Sequence, residues 1–192
     1  MGKERKRAAV KPIFNNKPNE LITTTDGRKL YHSRSVAVVL TLVCYEISSD
    51  TFNIAVEKRG DAPGLDKQGL WCLPCGYLDW DEDGADAVRR EAWEEIGLDM
   101  RELEKKHING PTLDAPWFVK SKPDENRQNV TLRYGLIFAS SKLPVLIPNN
   151  DCDHPNEVAD AKWIRKSDVL LNTYQFAFNH DKVILDFYGK YI

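Results

Sequence analysis

The sequence predicts an α/β fold. Three observations predict this class: apolar runs of strand length rich in β-branched residues, one run of strong helix formers that ends at a glycine, and an amphipathic segment near the C-terminus. A chain of 192 residues with 42% hydrophobic residues can bury a full core. One compact domain is therefore expected over residues 31–192, after a basic and partly flexible N-terminal extension over residues 1–30.

The strands are predicted from composition and from the turns that bound them. Residues 35–47, SVAVVLTLVCYEI, form a β-branched run typical of a central strand, and a short Ser-Ser-Asp turn joins them to a second strand over residues 52–58. Shorter strands are predicted over residues 70–73, 117–120, 130–140 and 161–165. Residues 175–188 are predicted to form an amphipathic C-terminal helix.

The clearest helix is predicted over residues 85–96, which contain Ala, Glu, Arg and Trp but neither Pro nor Gly. Asp83 precedes this run and Asp86 falls in its first turn, where a carboxylate favours the helix dipole and the free N–H groups. Gly97 follows the run, as glycine often does just beyond a helix. The segment therefore carries its own start and stop signals.

Three glutamates mark one side of this helix. Glu91, Glu94 and Glu95 stand at positions i, i+3 and i+4, so their like charges repel by roughly a few tenths of a kcal/mol per pair. A solvated acidic face is the common meaning of such a cluster. Here, however, apolar residues at positions 85, 88, 92 and 96 form a separate stripe to be buried. Clustered carboxylate oxygens suit Mg²⁺ or Mn²⁺, so we interpret the cluster as a metal site.

The helix lies inside a longer pattern. From Gly76 to Leu98 the sequence reads GYLDWDEDGADAVRREAWEEIGL, which fills every specified position of G-x5-E-x7-R-E-U-x-E-E-x-G-U, where U is aliphatic. A chance match has odds on the order of 10⁻⁷ at ordinary residue frequencies. This pattern is the Nudix box, and by it the chain resembles the Nudix hydrolases. The resemblance implies an α/β/α sandwich with a mixed central sheet, in which the box forms a loop–helix–loop.

The resemblance also implies the ligands of the metal. Glu91, Glu94 and Glu95 would bind a divalent ion, Mg²⁺ or Mn²⁺, together with the backbone carbonyl of Cys75. In the family the general base is either a box glutamate or an acid on a downstream loop. Glu157 is our candidate for the loop acid.

Other box residues would support this site. Glu82 would pair with Arg90 and hold the preceding loop to the helix, and Gly76 and Gly97 are the two glycines of the pattern. In the reaction that the resemblance implies, metal ions neutralise a diphosphate, orient a water for in-line attack on phosphorus and stabilise the leaving phosphate.

The implied substrate is a small-molecule nucleoside diphosphate linked to another moiety, of the ADP-ribose, dinucleotide or nucleotide-sugar type. Arg59, at the end of a strand that faces the box, is a candidate to hold a terminal phosphate. Trp117, Tyr134 and Phe178 are candidates to stack on the base, because aromatic rings do so with little sequence preference. A place in the core is the common alternative for each of these rings.

Two other functions remain open. An RNA-end, cap or (d)NTP pyrophosphohydrolase would use the same helix. For RNA it would need a basic channel, to which the following residues could contribute: Arg127, Arg133, Lys162, Arg165 and Lys166. A nucleotide sensor without catalysis usually has a degraded box, whereas this box is intact. A homodimer is also open.

Charge and hydropathy limit the partners. The net charge of −2 and the pI of about 6.1 give no overall reason to expect nucleic-acid or membrane binding. The longest apolar run, residues 36–44, is too short to span a bilayer. No apolar stretch of signal-peptide type follows the basic N-terminus. A cytoplasmic location is therefore expected.

The four cysteines fit a reducing compartment. Cys72 and Cys75 form a C-x2-C pair, and with Cys152 and His154 they make an alternative zinc site. The second pair has only one intervening residue, where zinc sites usually have two or more, so reduced structural thiols are favoured.

Overall fold

The computed structural model describes residues 18–123, 127–149 and 156–192, and the chain divides into two compact units after Arg34. In the first unit, strands β1 (Glu20–Thr23) and β2 (Lys29–His32) pair antiparallel as a hairpin. Backbone hydrogen bonds from Thr24 to Arg28 and from Gly27 to Thr24 close its turn. Almost every residue of both strands is exposed. Because neither strand buries one face, the hairpin lacks the alternation of apolar and polar residues from which strands are predicted. It was therefore not predicted from the sequence.

A seven-stranded mixed sheet forms the centre of the second unit. Its strands are β3 (Val36–Glu46), β4 (Thr51–Arg59), β5 (Trp71–Cys72), β6 (Cys75–Tyr77), β7 (Phe118–Lys120), β8 (Val130–Ser140) and β9 (Val158–Arg165). β3 runs parallel to β8 along its whole length and antiparallel to β4 and β6. β5 and β9 both pair antiparallel with β4, and β7 pairs antiparallel with β8. The predicted mixed sheet is therefore confirmed.

Helices cover both faces of this sheet. They are α1 (Gly84–Ile96), α2 (Met100–Glu104), α3 (Lys166–Leu170) and α4 (His180–Tyr191). α1 and α2 share one core with Leu40 and Leu42 of β3, whereas α3 and α4 share a second core with Val39 and Val43. Within the described ranges, no helix is both long enough and apolar enough to cross a membrane. Because β3 side chains alternate between the two cores, the fold is the predicted α/β/α sandwich.

Every strand predicted within the second unit is confirmed, with bounds that differ by at most a few residues. β6 and α2 were not predicted, since three and five residues are too few to show a periodicity. β6 forms because it pairs with residues 37–39 of β3, which precede the part of β3 that pairs with β4. Short elements of this kind depend on tertiary contacts.

The predicted C-terminal helix begins too early. Residues 175–177 instead form an extended segment, in which Trp71 donates to the carbonyl of Gln175 at 2.9 Å and accepts from the N–H of Ala177 at 2.8 Å. Phe178 and Asn179 then adopt left-handed backbone angles, with φ of 56° and 57°. The helix α4 therefore starts at His180, because pairing with β5 outweighs the helical pattern of residues 175–179.

Candidate active site

Helix α1 is fixed at both ends and along one face. Asp83 Oδ1 accepts hydrogen bonds from two N–H groups of the first turn, at 2.8 and 2.9 Å. Gly97 ends the helix in the left-handed region, with φ of 69°. Val88, Ala92 and Ile96 are buried in the core between α1 and the sheet. These contacts fix the direction in which the glutamates of the helix point.

Arg90 connects the helix to the loop before it. Its Nε and Nη2 donate to the two carboxylate oxygens of Glu82, at 3.1 and 2.8 Å. Its Nη1 donates to Glu91 Oε1 at 2.8 Å and to Glu94 Oε2 at 3.0 Å. Nη2 also donates to the carbonyl of Tyr77. Arg90 therefore supplies positive charge to two of the three clustered glutamates, and its hydrogen bond lowers the pKa of the Glu82 carboxyl.

The carboxylate of Glu91 packs against Gly76. A Cβ added to Gly76 would lie 1.9 Å from Glu91 Oε1, so any larger residue would displace this carboxylate from its present position. Glu91 is buried, and burial raises its pKa to about 7 against the lowering effect of Arg90. The absence of a side chain at Gly76, the first glycine of the box, therefore leaves the space that the Glu91 carboxylate occupies.

Glu95 is the most deeply buried of the three, at 3% exposure. Its Oε2 accepts a hydrogen bond from the backbone N–H of Cys75 at 2.7 Å, while its Oε1 has no partner among the described residues. Burial, and then the nearby charge of Glu57, raise the pKa of Glu95 well above its ordinary value. An uncompensated buried carboxylate is costly, and a bound cation would remove that cost.

A fourth glutamate, Glu57 of β4, belongs to the same cluster and was missed from the sequence. It is fully buried, its Oε1 accepts a hydrogen bond from Cys72 Sγ, and its Oε2 has no partner among the described residues. Burial raises its pKa to about 7, and the charges of Glu157 and Glu91 act in the same direction. The alternation of side chains along β4 could have indicated its position. Glu57 and Ala55 lie on the same face of the strand, and Ala55 packs in the core under α1.

Glu157 lies on the loop before β9, where its charge acts on both Glu57 and Glu91. The loop passes close to the end of β4, because Gly60 N–H donates to the carbonyl of Glu157 at 2.6 Å. A Cβ on Gly60 would lie 2.0 Å from the carbonyl oxygen of Asn156. Gly60 therefore allows the approach that brings the predicted loop acid to the glutamate cluster.

A cavity of about 360 Å³ adjoins this cluster. Cys75 and Gly76 of the box line it, as does Glu157. The remainder of the lining contains a group of basic residues: Arg59, Lys120, Arg127 and Arg133. A cavity between carboxylates and guanidinium groups suits a ligand that carries both phosphates and bound cations.

Phe178 lies in the wall of this cavity, in contact with two arginines. Its ring centroid is 5.2 Å from Cζ of Arg59 and 4.4 Å from Cζ of Arg127. Arg59 itself is buried, and its Nε donates to the carbonyl of Asp66 at 2.9 Å. Arg59 is therefore a fixed part of the wall and not a solvated residue at a strand end.

A family model described as the NUDIX domain matches residues 48–187. The chain belongs to the Nudix family. An RNA pyrophosphohydrolase of Gluconacetobacter diazotrophicus is 35% identical over 100 residues, which are 48% of this chain and 53% of that protein. The chain thus spans about half the length of this curated relative.

Solved structures of other Nudix proteins share the fold. The Nudix domain of Shewanella oneidensis NrtR, solved with ADP ribose, has a TM-score of 0.57 at 20% identity, covering 82% of this chain and 88% of that one. A MutT/nudix family protein from Enterococcus faecalis has a TM-score of 0.58 at 19% identity, with 84% and 63% covered. A bifunctional NMN adenylyltransferase/ADP ribose pyrophosphatase from Francisella tularensis, solved with AMP and a Mn ion, has a TM-score of 0.55 at 24% identity, with 82% and 42% covered.

The glutamate cluster of this Nudix protein fits a hard divalent cation. Its donors are carboxylate oxygens, and two of them, Glu57 Oε2 and Glu95 Oε1, are buried without a hydrogen-bond partner in the described part of the chain. Mg²⁺ and Mn²⁺ prefer such oxygen ligands. The assignment of individual ligands, including the Cys75 carbonyl, remains a proposal.

Two of the predicted stacking residues lie elsewhere in the Nudix fold. Trp117 packs edge-on against Phe187, with ring centroids 5.5 Å apart, and its Nε1 donates to the carbonyl of Tyr134 at 3.2 Å. Tyr134 is 5% exposed in the core under α1, with its hydroxyl near Gly84. Neither residue is among those that line the cavity. Apolar packing, the common use of such rings, accounts for both.

The alternative zinc site is only partly described. Cys152 and His154 lie outside the described residues, whereas Cys72 and Cys75 carry free thiols. Burial raises the pKa of the Cys72 thiol well above its ordinary value. The structure instead brings His180 to this pair, with its Nδ1 accepting a hydrogen bond from Leu73 N–H at 3.0 Å. Burial, and then the nearby arginines, lower the pKa of His180 to about 3, so this histidine is neutral.

Proposed function

We propose that this Nudix protein is a divalent-metal-dependent pyrophosphohydrolase that cleaves the diphosphate linkage of a nucleoside diphosphate joined to another moiety. One observation carries the proposal: Glu57 and Glu95 each have a buried carboxylate oxygen without a hydrogen-bond partner among the described residues, and they contact Arg59 and Cys75 in the wall of a cavity that basic residues line. The cluster attracts cations and the wall attracts phosphates, so the two together suit a metal-bound diphosphate.

The metal would be held by the box. Glu91, Glu94 and Glu95, with the carbonyl of Cys75, are the proposed ligands of Mg²⁺ or Mn²⁺. A cation bound there would neutralise the diphosphate and make a bound water more acidic. Arg90 keeps Glu91 and Glu94 in place through its hydrogen bonds at 2.8 and 3.0 Å.

The substrate would lie in the cavity. The guanidinium groups of Arg59 and Arg127 lie over the Phe178 ring, 5.2 and 4.4 Å from its centroid, so this part of the wall offers positive charge to a phosphate, and Phe178 is our candidate to stack on a base. Glu157 is half-buried at the cavity, and its charge acts on Glu57 and Glu91. It is therefore our candidate to accept a proton from the attacking water, with a box glutamate as the alternative.

A second candidate function is removal of pyrophosphate from an RNA 5′ end. Two observations favour it: the relative from Gluconacetobacter diazotrophicus is an RNA pyrophosphohydrolase, and four basic residues line the cavity. A 5′-triphosphate carries more negative charge than ADP-ribose and would use more of this wall. The net charge of the whole chain is −2, however, which gives no general affinity for a nucleic-acid strand.

The test is a panel of substrates with Mg²⁺ or Mn²⁺. ADP-ribose, NADH, dinucleoside polyphosphates, nucleotide sugars, NTPs and a 5′-triphosphorylated RNA are incubated separately, and the products are identified. Cleavage within the diphosphate of the first four classes supports the principal proposal. Release of pyrophosphate from RNA, together with RNA binding that weakens steeply with salt, supports the second.

The matched control is Glu95→Gln, which removes one proposed ligand and keeps the shape of the side chain. Turnover that this change leaves unreduced would come from a contaminant or from another site. Binding of a nucleotide without hydrolysis of any substrate would contradict both proposals and indicate a sensor.

A further inference from the structure

A second group of metal-binding side chains lies beside the glutamate cluster. The ligand atoms of Cys72, Cys75 and His180 all lie within 4.8 Å of one another. In a tetrahedral zinc site, bond lengths of about 2.0–2.3 Å place ligand atoms roughly 3.5 Å apart. The three side chains are therefore within about 1.3 Å of that spacing, a distance that side-chain rotation can close.

Buried carboxylates beside this group favour a cation, against the opposing charge of Arg59 and the other basic residues near His180. Cys72 Sγ donates to Glu57 Oε1, and the second oxygen of this fully buried carboxylate has no partner among the described residues. The Cys75 N–H is bonded to Glu95, which places another carboxylate nearby. Cys75 and His180 also line the cavity, so an ion can enter from that side. Glu57 is positioned to serve as a fourth ligand.

We propose that Cys72, Cys75 and His180, with Glu57 beside them, form a second metal site for a thiophilic divalent cation such as Zn²⁺ or Cd²⁺, which differs from the carboxylate site for Mg²⁺ in its sulfur and nitrogen ligands and adjoins it at Glu57. Sulfur ligands select such ions over Mg²⁺, which prefers oxygen. This pairing of the C-x2-C segment with His180 differs from the Cys152 and His154 alternative considered from the sequence. It does not depend on the proposed hydrolase activity.

Binding would exchange protons and one hydrogen bond. The cation forms two metal–sulfur bonds, and the thiol protons of Cys72 and Cys75 pass to the solvent. His180 is already neutral and releases none, but its Nδ1 must give up the Leu73 N–H in order to offer a lone pair. The free energy of a thiolate zinc site is several times that of a single hydrogen bond, so this exchange favours the metal.

The experiment is a Cd²⁺ titration of the reduced full chain in saturating Mg²⁺, followed by the ultraviolet thiolate-to-cadmium charge-transfer band. We expect a band that saturates at one equivalent. Cys75→Ser should abolish it or weaken the affinity at least about tenfold, and His180→Gln should weaken the affinity by about the same factor. Cys72 is fully buried, and its replacement would threaten the fold. The half-buried Cys75 is therefore the cysteine to be substituted.

Cys44→Ala and Cys152→Ser are the matched controls, since each removes one of the other two thiols. Both variants should keep the band and the affinity. Absence of a band at one equivalent of Cd²⁺, an unchanged titration in Cys75→Ser or His180→Gln, or loss of the band in Cys152→Ser would each overturn the proposed site.

Discussion

At the scale of single residues, the candidate site depends on the burial of its glutamates. Glu57, Glu91 and Glu95 are all buried, and burial is the first cause of the raised pKa of each. The protein therefore bears the cost of an unfavourable cluster, which a cation would relieve. Glu94 differs, because it is half-buried and its charge is met by Arg90 at 3.0 Å.

The first prediction separates these two environments. Glu94→Gln and Glu95→Gln should each lower kcat by about 10² to 10⁴, because charge stabilisation by a bound metal contributes several kcal/mol. Without metal, Glu95→Gln should raise the melting temperature or at least not lower it, since the buried charge is removed. Glu94→Gln should change it little. Steady-state hydrolysis and thermal unfolding in a chelator measure these effects.

Asp86→Asn is the control for both variants, because it removes an exposed carboxylate of the same helix outside the cluster. It should retain nearly full turnover. Unchanged kcat in both glutamate variants would show that these residues do not bind the metal.

The second prediction concerns Gly76. In Gly76→Ala the new Cβ would collide with the carboxylate of Glu91, which is the far end of a flexible side chain and can swing away. We therefore expect stability to fall by less than about 1 kcal/mol. Turnover should fall by about 10²-fold, because displacement of a site group by about 1 Å has effects of that size. Denaturant titrations measure the loss of stability and steady-state kinetics the loss of turnover. A loss of stability large enough to explain the whole loss of turnover would contradict this account.

At the scale of elements, the ends of the helices depend on backbone conformations that only some residues tolerate. Gly97 ends α1 with φ of 69°, and a Cβ there would lie 2.2 Å from the carbonyl oxygen of Ile147. Gly189 lies near the end of α4 with open space around it. The same substitution should therefore have opposite effects at these two glycines.

The third prediction is this contrast. Gly97→Ala should destabilise the fold by about 1 kcal/mol or more, because it combines a left-handed backbone with a clash against fixed backbone atoms. Gly189→Ala should stabilise the fold by about 0.5–1 kcal/mol, since alanine loses less conformational entropy in a helix. Urea denaturation of both variants gives the two values, and a shared sign would refute the prediction.

At the scale of the whole molecule, metal and substrate should stabilise the fold together. The ligand-bound state gains RT ln(1 + [L]/Kd), about 2.7 kcal/mol at a hundredfold excess over Kd. Mg²⁺ alone should shift the unfolding temperature little at sub-millimolar concentration, because it keeps its waters at sites with few carboxylates. A non-hydrolysable diphosphate analogue adds bridging oxygens. The fourth prediction is thus a joint shift in unfolding temperature larger than the sum of the separate shifts.

NaCl at matched ionic strength is the control for this thermal-shift series. General screening would act on any acidic surface and would be reproduced by NaCl. If the joint shift only equals the sum, and NaCl matches Mg²⁺, the glutamate cluster is an ordinary acidic surface.

The sequence by itself determined the longer elements of the second unit and the identity of the box. Residues 36–46 and 130–140 have the composition of buried strands, and α1 carries its own cap at Asp83 and its own stop at Gly97. These signals are local, because propensity, capping and periodicity act over a few neighbouring residues. The three clustered glutamates were found for the same reason, since the first and the last are only four positions apart.

Only the tertiary structure decided the surroundings of that cluster. Glu57 joins it through packing of β4 under α1, and Glu157 through the contact with Gly60. Arg127 and Phe178 are 51 positions apart in sequence but both lie in the wall of the cavity, whereas Trp117 packs, partly buried, against the core on Phe187. Strand register and core packing set these distances between remote segments, and no local pattern encodes them.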